Sequence, residues 1–242
     1  MTPKIEVRGL SKAFGHMEVL RSVDLTVRRG RIIAIVGPNA AGKTTLIKAM
    51  LGLTHADAGE LVIDGVSVGH DDAYRARIGY MPQIGRFPDN LTGRDLIAML
   101  KDLRGGTATL DEELMDRFGI RPQLDKPLRV LSGGTRQKIN AVMAFLFSPD
   151  LLILDEPTAG LDPLSSSILK DKILAQRSTG TTFVVTSHVM SELEDLVDDV
   201  AFLLGGRMLF AGALSELKRV TRQATLERAT AQMMSHGYAA CA

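Results

Sequence analysis

Residues 29–53 read RGRIIAIVGPNAAGKTTLIKAMLGL. The run Ile32–Val36 is short, apolar and β-branched, as expected of a strand buried on both faces. Gly37 to Thr44 then satisfies the pattern G-x-x-x-x-G-K-[ST], and the residues after it are spaced as a helix ending near Gly52. A strand that turns through glycines into a helix aims several backbone N–H groups at one spot. The helix dipole adds positive potential there, so the turn Gly37, Pro38, Asn39, Ala40, Ala41 and Gly42 suits a phosphate. Lys43 has the reach for β- and γ-phosphates. The Thr44 hydroxyl suits Mg2+, and Thr45 suits a nearer phosphate.

Outward from this stretch, apolar strands alternate with helices. KIEVRGL (4–10), VDLTV (23–27), GELVIDG (59–65), IGYMPQ (78–83), LLILDEP (151–157) and FVVTS (183–187) read as strands. VAFLLGGRMLFAG (200–212) reads as a hairpin around Gly205–Gly206. Between residues 84 and 147 lie three helical candidates: 93–104, 110–119 and the run after Ser132. In the first of them Leu96, Met99, Leu100 and Leu103 share a face. Residues 213–235 read as one helix of mixed charge, and the tail 236–242 as loose. The pattern implies an α/β fold with a mainly parallel sheet, an antiparallel β portion and an inserted helical subdomain. The expected division is an α/β core over 1–83 and 148–220, a helical subdomain over 84–147, and a C-terminal helical tail over 221–242.

Composition narrows the function classes. Of 242 residues, 45% are hydrophobic, enough for a sizeable core. The 29 basic and 28 acidic residues leave a net charge of +1, which excludes a broad electrostatic binder of nucleic acid or membrane surface. The single cysteine, Cys241, builds neither a disulfide framework nor a thiolate metal site. The start MTPKIEVRGL lacks the long apolar stretch of a signal peptide, and no run approaches the ~18 apolar residues of a membrane span. The expected location is cytoplasmic, with any membrane work done through another subunit.

A second group of residues suits the chemistry that a phosphate grip invites. Asp155 and Glu156 end the apolar run LLIL, where strand becomes loop. Asp155 suits the surroundings of Mg2+, and Glu156 suits a base that orients an attacking water. Gln83, just past IGYMP, is placed for the metal or the water. His188 follows FVVTS, where an imidazole can bond a γ-phosphate and hold the water. His16, His55, His70 and His236 show no ligand spacing and receive no role. A second bare helix start stands at Ser132-Gly133-Gly134, ahead of a long apolar helix.

In this order, GPNAAGKTT, MPQ, LSGGTRQ, LLILDEPTAGLD and TSH resemble the ATP-binding subunit of an ABC transporter over about residues 4–215. The resemblance implies a P-loop NTPase (RecA-like) core, ATP and Mg2+ as ligands, and two cassettes meeting head to tail. Ser132, Gly133 and Gly134 of one cassette would cap the γ-phosphate held by the other. By the same resemblance Asp162 lies in the loop that communicates across that seam, and Phe14 stacks on adenine. A multi-span permease would dock on the helical insertion near Gln83, with Phe87 and Leu91 at the lip. The ending from Ser187 onward is similar to ABC-2 exporters of drugs, polysaccharides or lipids. Residues 80–105 are similar to the ATPase that supports copper-centre assembly of nitrous-oxide reductase. A soluble ABC-type ATPase without a membrane partner fits less well: there is no heptad run and no C-x-x-C.

Two positions depart from the family pattern. Ala40 replaces the glycine of GPNGAGKT. If the loop needs φ > 0 there, the Cβ costs about 1 kcal/mol. Thr135 replaces the glutamine of LSGGQ and shortens a contact at the seam.

Overall fold

The computed structural model describes residues 2–69, 72–105 and 109–241, with 236–241 described by backbone alone. In chain order come β1 (Ile5–Phe14), β2 (Met17–Val27), β3 (Ile32–Val36), α1 (Lys43–Met50), β4 (Ala58–Ile63) and β5 (Val66–Ser67). Then follow β6 (Ile78–Met81), α2 (Gly93–Leu103), α3 (Glu113–Arg117), α4 (Gly133–Phe145), β7 (Leu151–Asp155) and α5 (Pro163–Ser178). The chain ends with β8 (Thr182–Thr186), α6 (Met190–Glu194), β9 (Asp199–Leu204), β10 (Arg207–Ala213), α7 (Leu214–Thr221) and α8 (Leu226–Cys241). These elements form two compact units: Met1–Arg75 with Thr182–Ala242, and Ala76–Thr181.

The first unit holds two sheet regions. One is antiparallel, in the order β2-β1-β4-β5. The other runs β10-β9-β3-β8, with β3 parallel to both β8 and β9, and β10 antiparallel to β9. Every residue of β3, β8 and β9 is buried, which explains why these strands read as continuous apolar runs. Ile32, Ile33, Ile35, Phe183 and Phe202 are among the largest side chains fully removed from solvent. Each contributes on the order of 1.5–3 kcal/mol by leaving water. At the start of β9, the buried Asp199 accepts from Arg31 Nη2 at 2.9 Å and Nε at 3.2 Å, and from Arg28 Nη2 at 2.9 Å. This fork fixes β9 against the chain entering β3, and it keeps the Arg31 guanidinium above its usual pKa.

The second unit pairs β6 with β7 in parallel and contains α2, α3, α4 and α5. The strand β6 lies hard against α4: a Cβ at Gly79 would meet the Ala144 carbonyl oxygen at 2.2 Å. The buried Lys172 of α5 donates to Asp111 Oδ2 at 2.6 Å and Glu113 Oε2 at 2.7 Å, joining α5 to the start of α3. Helix α2 opens on a full capping box: Thr92 accepts from the Asp95 N–H, and Asp95 accepts from the Thr92 N–H.

Several expectations change. The strand read at 23–27 begins at Met17 and forms one hairpin with β1. Register shifts break its alternation, so period-two reading misses the outer half. Met99 is 52% and Leu103 80% exposed, so the apolar face of α2 is not a core face along its length. Helix α5 has no clear apolar stripe, because Ser165, Ser166 and Lys172 share its buried side with Leu169 and Ile173. The helix expected over 213–235 is two helices, broken where Arg222 adopts φ 55°. The tail 236–242, expected to be loose, continues α8 as helix to Cys241, and residue 242 lies outside the described residues.

Substituting Gly79→Ala is expected to destabilise the protein by about 1–3 kcal/mol through overpacking. A urea unfolding curve checks this; an unchanged midpoint would contradict the packing of β6 against α4.

Candidate functional site

In the first unit the turn after β3 is set by crowding. Gly37 has φ 153°, and a Cβ there would stand 2.0 Å from the Leu203 carbonyl oxygen. Gly42 has φ 106°, and a Cβ would come within 2.8 Å of the Val19 carbonyl oxygen. Both positions therefore require glycine. Between them Ala40 sits at φ 61°, so the strain anticipated for that residue is present.

Helix α1 starts at Gly42 with no side-chain cap and no acidic residue in its first turn. Its opening N–H groups are thus bare of side-chain acceptors, and its dipole is not offset by a carboxylate. Lys43 Nζ donates to the Gly37 carbonyl at 2.7 Å and the Pro38 carbonyl at 2.9 Å, which holds the ammonium over the turn. Thr44 is exposed and Thr45 half-buried at the same helix start. Exposed hydroxyl, bare N–H groups and a held ammonium fit a magnesium-bound polyphosphate.

His188 leaves β8 two residues past Thr186 and is exposed. Because β8 runs parallel to β3, with Ala34 opposite Val185, it emerges at the sheet edge that carries the Gly37 turn. Phe14 ends β1, pairs with Met17 and is 52% exposed, so it is not a core phenylalanine. Lys12 Nζ lies 5.4 Å from the centre of its ring and bonds Asp57 Oδ1 at 2.7 Å. Asp57 Oδ2 in turn accepts from the Ala13 N–H at 2.7 Å. These bonds, the Lys12 one foremost, hold the Asp57 carboxyl below its usual pKa.

The second unit carries the acids. Met81 stands opposite Leu154 in the parallel pair, so Gln83 and Asp155 leave the same edge. Asp155 is 9% and Glu156 8% exposed. Glu156 adopts φ 52°, and the Ala159 N–H closes a turn on its carbonyl at 3.1 Å. The left-handed residue ends the strand's alternation at the point where the acid is needed. Gln83 is exposed. Burial raises the Tyr80 phenol above its usual pKa, and the charge of Asp155 adds to this.

Ser132 caps α4, accepting from the Thr135 N–H at 3.2 Å, while its Oγ lies 2.9 Å from Thr135 Oγ1. Ser132 and Gly133 are exposed and Gly134 half-buried. Asp162 caps α5 through Ser165, whose N–H and hydroxyl reach it at 2.9 and 2.7 Å. The Ser165 bonds first, then Lys138, hold the Asp162 carboxyl far below its usual range. Two contacts had no signal in the sequence: Lys138 Nζ to Asp162 Oδ2 at 2.9 Å, and Asn140 Nδ2 to the Pro82 carbonyl at 2.8 Å. The partners are remote in the chain, and neither Lys nor Asn announces which carbonyl or carboxylate it meets.

A bare helix start entered through crowded glycines, with an acid pair closing a parallel strand, defines a nucleotide-gripping α/β cassette. Comparison with known proteins narrows the class. The family model described as ABC transporter matches residues 20–159. The chain is 33% identical over 221 residues to Nod factor export ATP-binding protein I of Ralstonia nicotianae, covering 89% of this chain and 69% of that one. It is 35% identical over 222 residues to the daunorubicin/doxorubicin resistance ATP-binding protein of Streptomyces peucetius, covering 90% and 67%. A solved structure described as the ATP binding subunit of an ABC transporter superposes with TM-score 0.89 at 28% identity, covering 96% of this chain and 100% of that one. The chain belongs to the ABC transporter family as an ATP-binding cassette. It is an ABC ATPase, hydrolysing ATP to drive transport. No helix among the described residues is long and apolar enough to cross a membrane.

Ala40→Gly is expected to raise the unfolding free energy by up to about 1 kcal/mol, the relieved strain outweighing the added chain freedom. Urea denaturation checks it. Lys43→Ala should abolish nucleotide binding, read by titration calorimetry, while the far-ultraviolet circular dichroism stays that of the parent.

Proposed function

We propose that two copies of this chain close around Mg-ATP and that the closed pair drives a separate multi-span permease. The observation that carries this reading is the second glycine-led helix start, Ser132-Gly133-Gly134, where the Ser132 hydroxyl caps the Thr135 N–H while Ser132 and Gly133 stand exposed; it belongs to a different compact unit from the Gly37 turn. One chain then offers two phosphate grips, and head-to-tail pairing gives the second grip a ligand: the γ-phosphate on the partner copy. A cassette solved as a dimer in a post-hydrolysis state with ADP and Pi shares this fold, with TM-score 0.77 at 20% identity.

Within each site, the Gly37 turn and the start of α1 bind the phosphates, Lys43 neutralises their charge, and Phe14 stacks on the base. Thr44, Gln83 and Asp155 would hold Mg2+, which when bound neutralises charge on the phosphate oxygens. Glu156 orients the water and takes its proton, and His188 bonds the γ-phosphate. Hydrolysis joins the water oxygen to the γ-phosphorus and breaks its bond to the β-phosphate oxygen, so the two grips no longer share one ligand and the pair opens.

The permease surface we assign is a groove of about 260 Å³ in the second unit, lined by Tyr80, Phe87, Leu100, Met143 and Phe147 among others. Arg104 lies over the Phe147 ring, 4.5 Å from its centre. Leu100, in the groove, lies between the exposed Met99 and Leu103 on α2, so apolar surface continues outward from the groove. Phe87 lines the groove as expected. Leu91 is absent from its lining, and its carbonyl instead accepts from the Leu128 N–H at 2.8 Å. In this reading the chain works at the cytoplasmic face of a membrane through its partner.

For cargo we propose export of a drug, lipid or polysaccharide-like molecule. The relatives support this: their names describe Nod factor export, daunorubicin resistance, lantibiotic transport and phospholipid transport. The copper-centre reading of residues 80–105 gains nothing from them, and export takes its place.

Light scattering tests the pairing. Glu156→Gln with Mg-ATP should double its mass and turn over at least a hundredfold more slowly than the parent; a monomer with normal turnover would refute it. Leu103→Asp should leave the isolated cassette's ATPase within twofold while cutting permease-stimulated ATPase at least tenfold. Undiminished stimulation would remove the assigned groove.

A further inference from the structure

Nothing in the known chemistry of the site gives Lys138 a task, yet its placement is specific. Gly134 and Lys138 are four residues apart on α4 and share a face. That face meets the loop entering α5 at two points. A Cβ at Gly134 would stand 3.1 Å from the Gly160 carbonyl oxygen, so helix and loop are nearly in backbone contact. One turn on, Lys138 Nζ lies 2.9 Å from Asp162 Oδ2, with the lysine side chain only 20% exposed. The carboxylate is itself fixed, because both of its oxygens accept from Ser165. Ser165 first, then Lys138, hold the Asp162 carboxyl below its usual range, in keeping with the bonds that converge on it.

We infer that Lys138 is a positioning residue that locks the Ser132-Gly133-Gly134 helix start to the Asp162 loop. Both segments then reach the second cassette as one rigid surface. This deepens the two-cassette reading and rests on it. Without the ammonium, the Asp162 loop has to be ordered at each closure of the pair, and closure weakens. Nucleotide binding to the chain's own Gly37 turn uses none of these residues, so the effect separates pairing from binding.

The test uses Lys138→Met, Lys138→Arg and Asp162→Asn, alone and in the Glu156→Gln background. Lys138→Met should bind ATP within twofold of the parent while kcat falls about tenfold. In the Glu156→Gln background, the ATP concentration that gives half dimer should rise about tenfold. Lys138→Arg should recover turnover to within threefold. Asp162→Asn keeps a helix-capping side chain and should reproduce the loss. The double variant Lys138→Met with Asp162→Asn should be no worse than the poorer single one.

Turnover of Lys138→Met within twofold of the parent, or losses that multiply in the double variant, would overturn the inference. Should Lys138→Met fail to fold, Asp162→Asn decides alone, and normal turnover there overturns it too. A Glu156→Gln parent that stays monomeric with ATP sinks the two-cassette reading itself, and the role of Lys138 with it.

Discussion

The Leu203 carbonyl oxygen occupies the space that a side chain at position 37 would need, 2.0 Å from where its Cβ would be. The nucleotide turn is built on that exclusion. Strand β9 runs parallel to β3, and its start is pinned by two arginines on Asp199. Its far end therefore arrives at a fixed height beside the end of β3. The chain leaving β3 has room to turn only as bare backbone, and bare backbone is what presents N–H groups to an anion. A packing constraint in the sheet and a binding property of the turn are one fact seen from two sides.

Among the described residues six that are not glycine hold left-handed backbone, and two of them stand where chemistry is expected. Ala40 and Glu156 both hold left-handed backbone without being glycine, at φ 61° and 52°. At Ala40 the Cβ adds cost with no visible structural return. At Glu156 the same conformation turns the chain out of β7 and makes position 156 the first residue freed from strand alternation, with Asp155 the last one bound by it. A residue of this kind persists when its surroundings over-determine it, and five buried residues of β7 precede it.

The second unit solves a different problem, which is to hold surface segments in place with few apolar contacts. Helix α5 buries serines and a lysine where a leucine stripe would be usual, and ion pairs do the joining: Lys172 to Asp111 and Glu113, Arg117 to Asp171, Lys138 to Asp162. The more exposed of these pairs contribute little to stability, and their value lies in fixing register, while the buried Lys172 depends on its two carboxylates to stay charged out of water. The helix starts at Ser132 and Asp162 are each capped by a side chain, so their direction is set locally before any partner arrives.

Much of this was written along the chain. Gly37, Gly42 and Lys43 stand at fixed spacing after an apolar strand, so the turn, the helix and the anion grip follow from local sterics and the helix dipole. The strands buried on both faces are legible because hydropathy is continuous through them. What local pattern could not carry was pairing between distant segments: the outer half of β2, hidden by bulges; helix α5, whose buried face is polar; the break at Arg222; and the partners of Lys138 and Asn140. A hydrophobic residue reports its burial through its chemistry alone, whereas a charged or amide side chain is buried or exposed according to the atom it meets. Only the folded chain decides which atom that is.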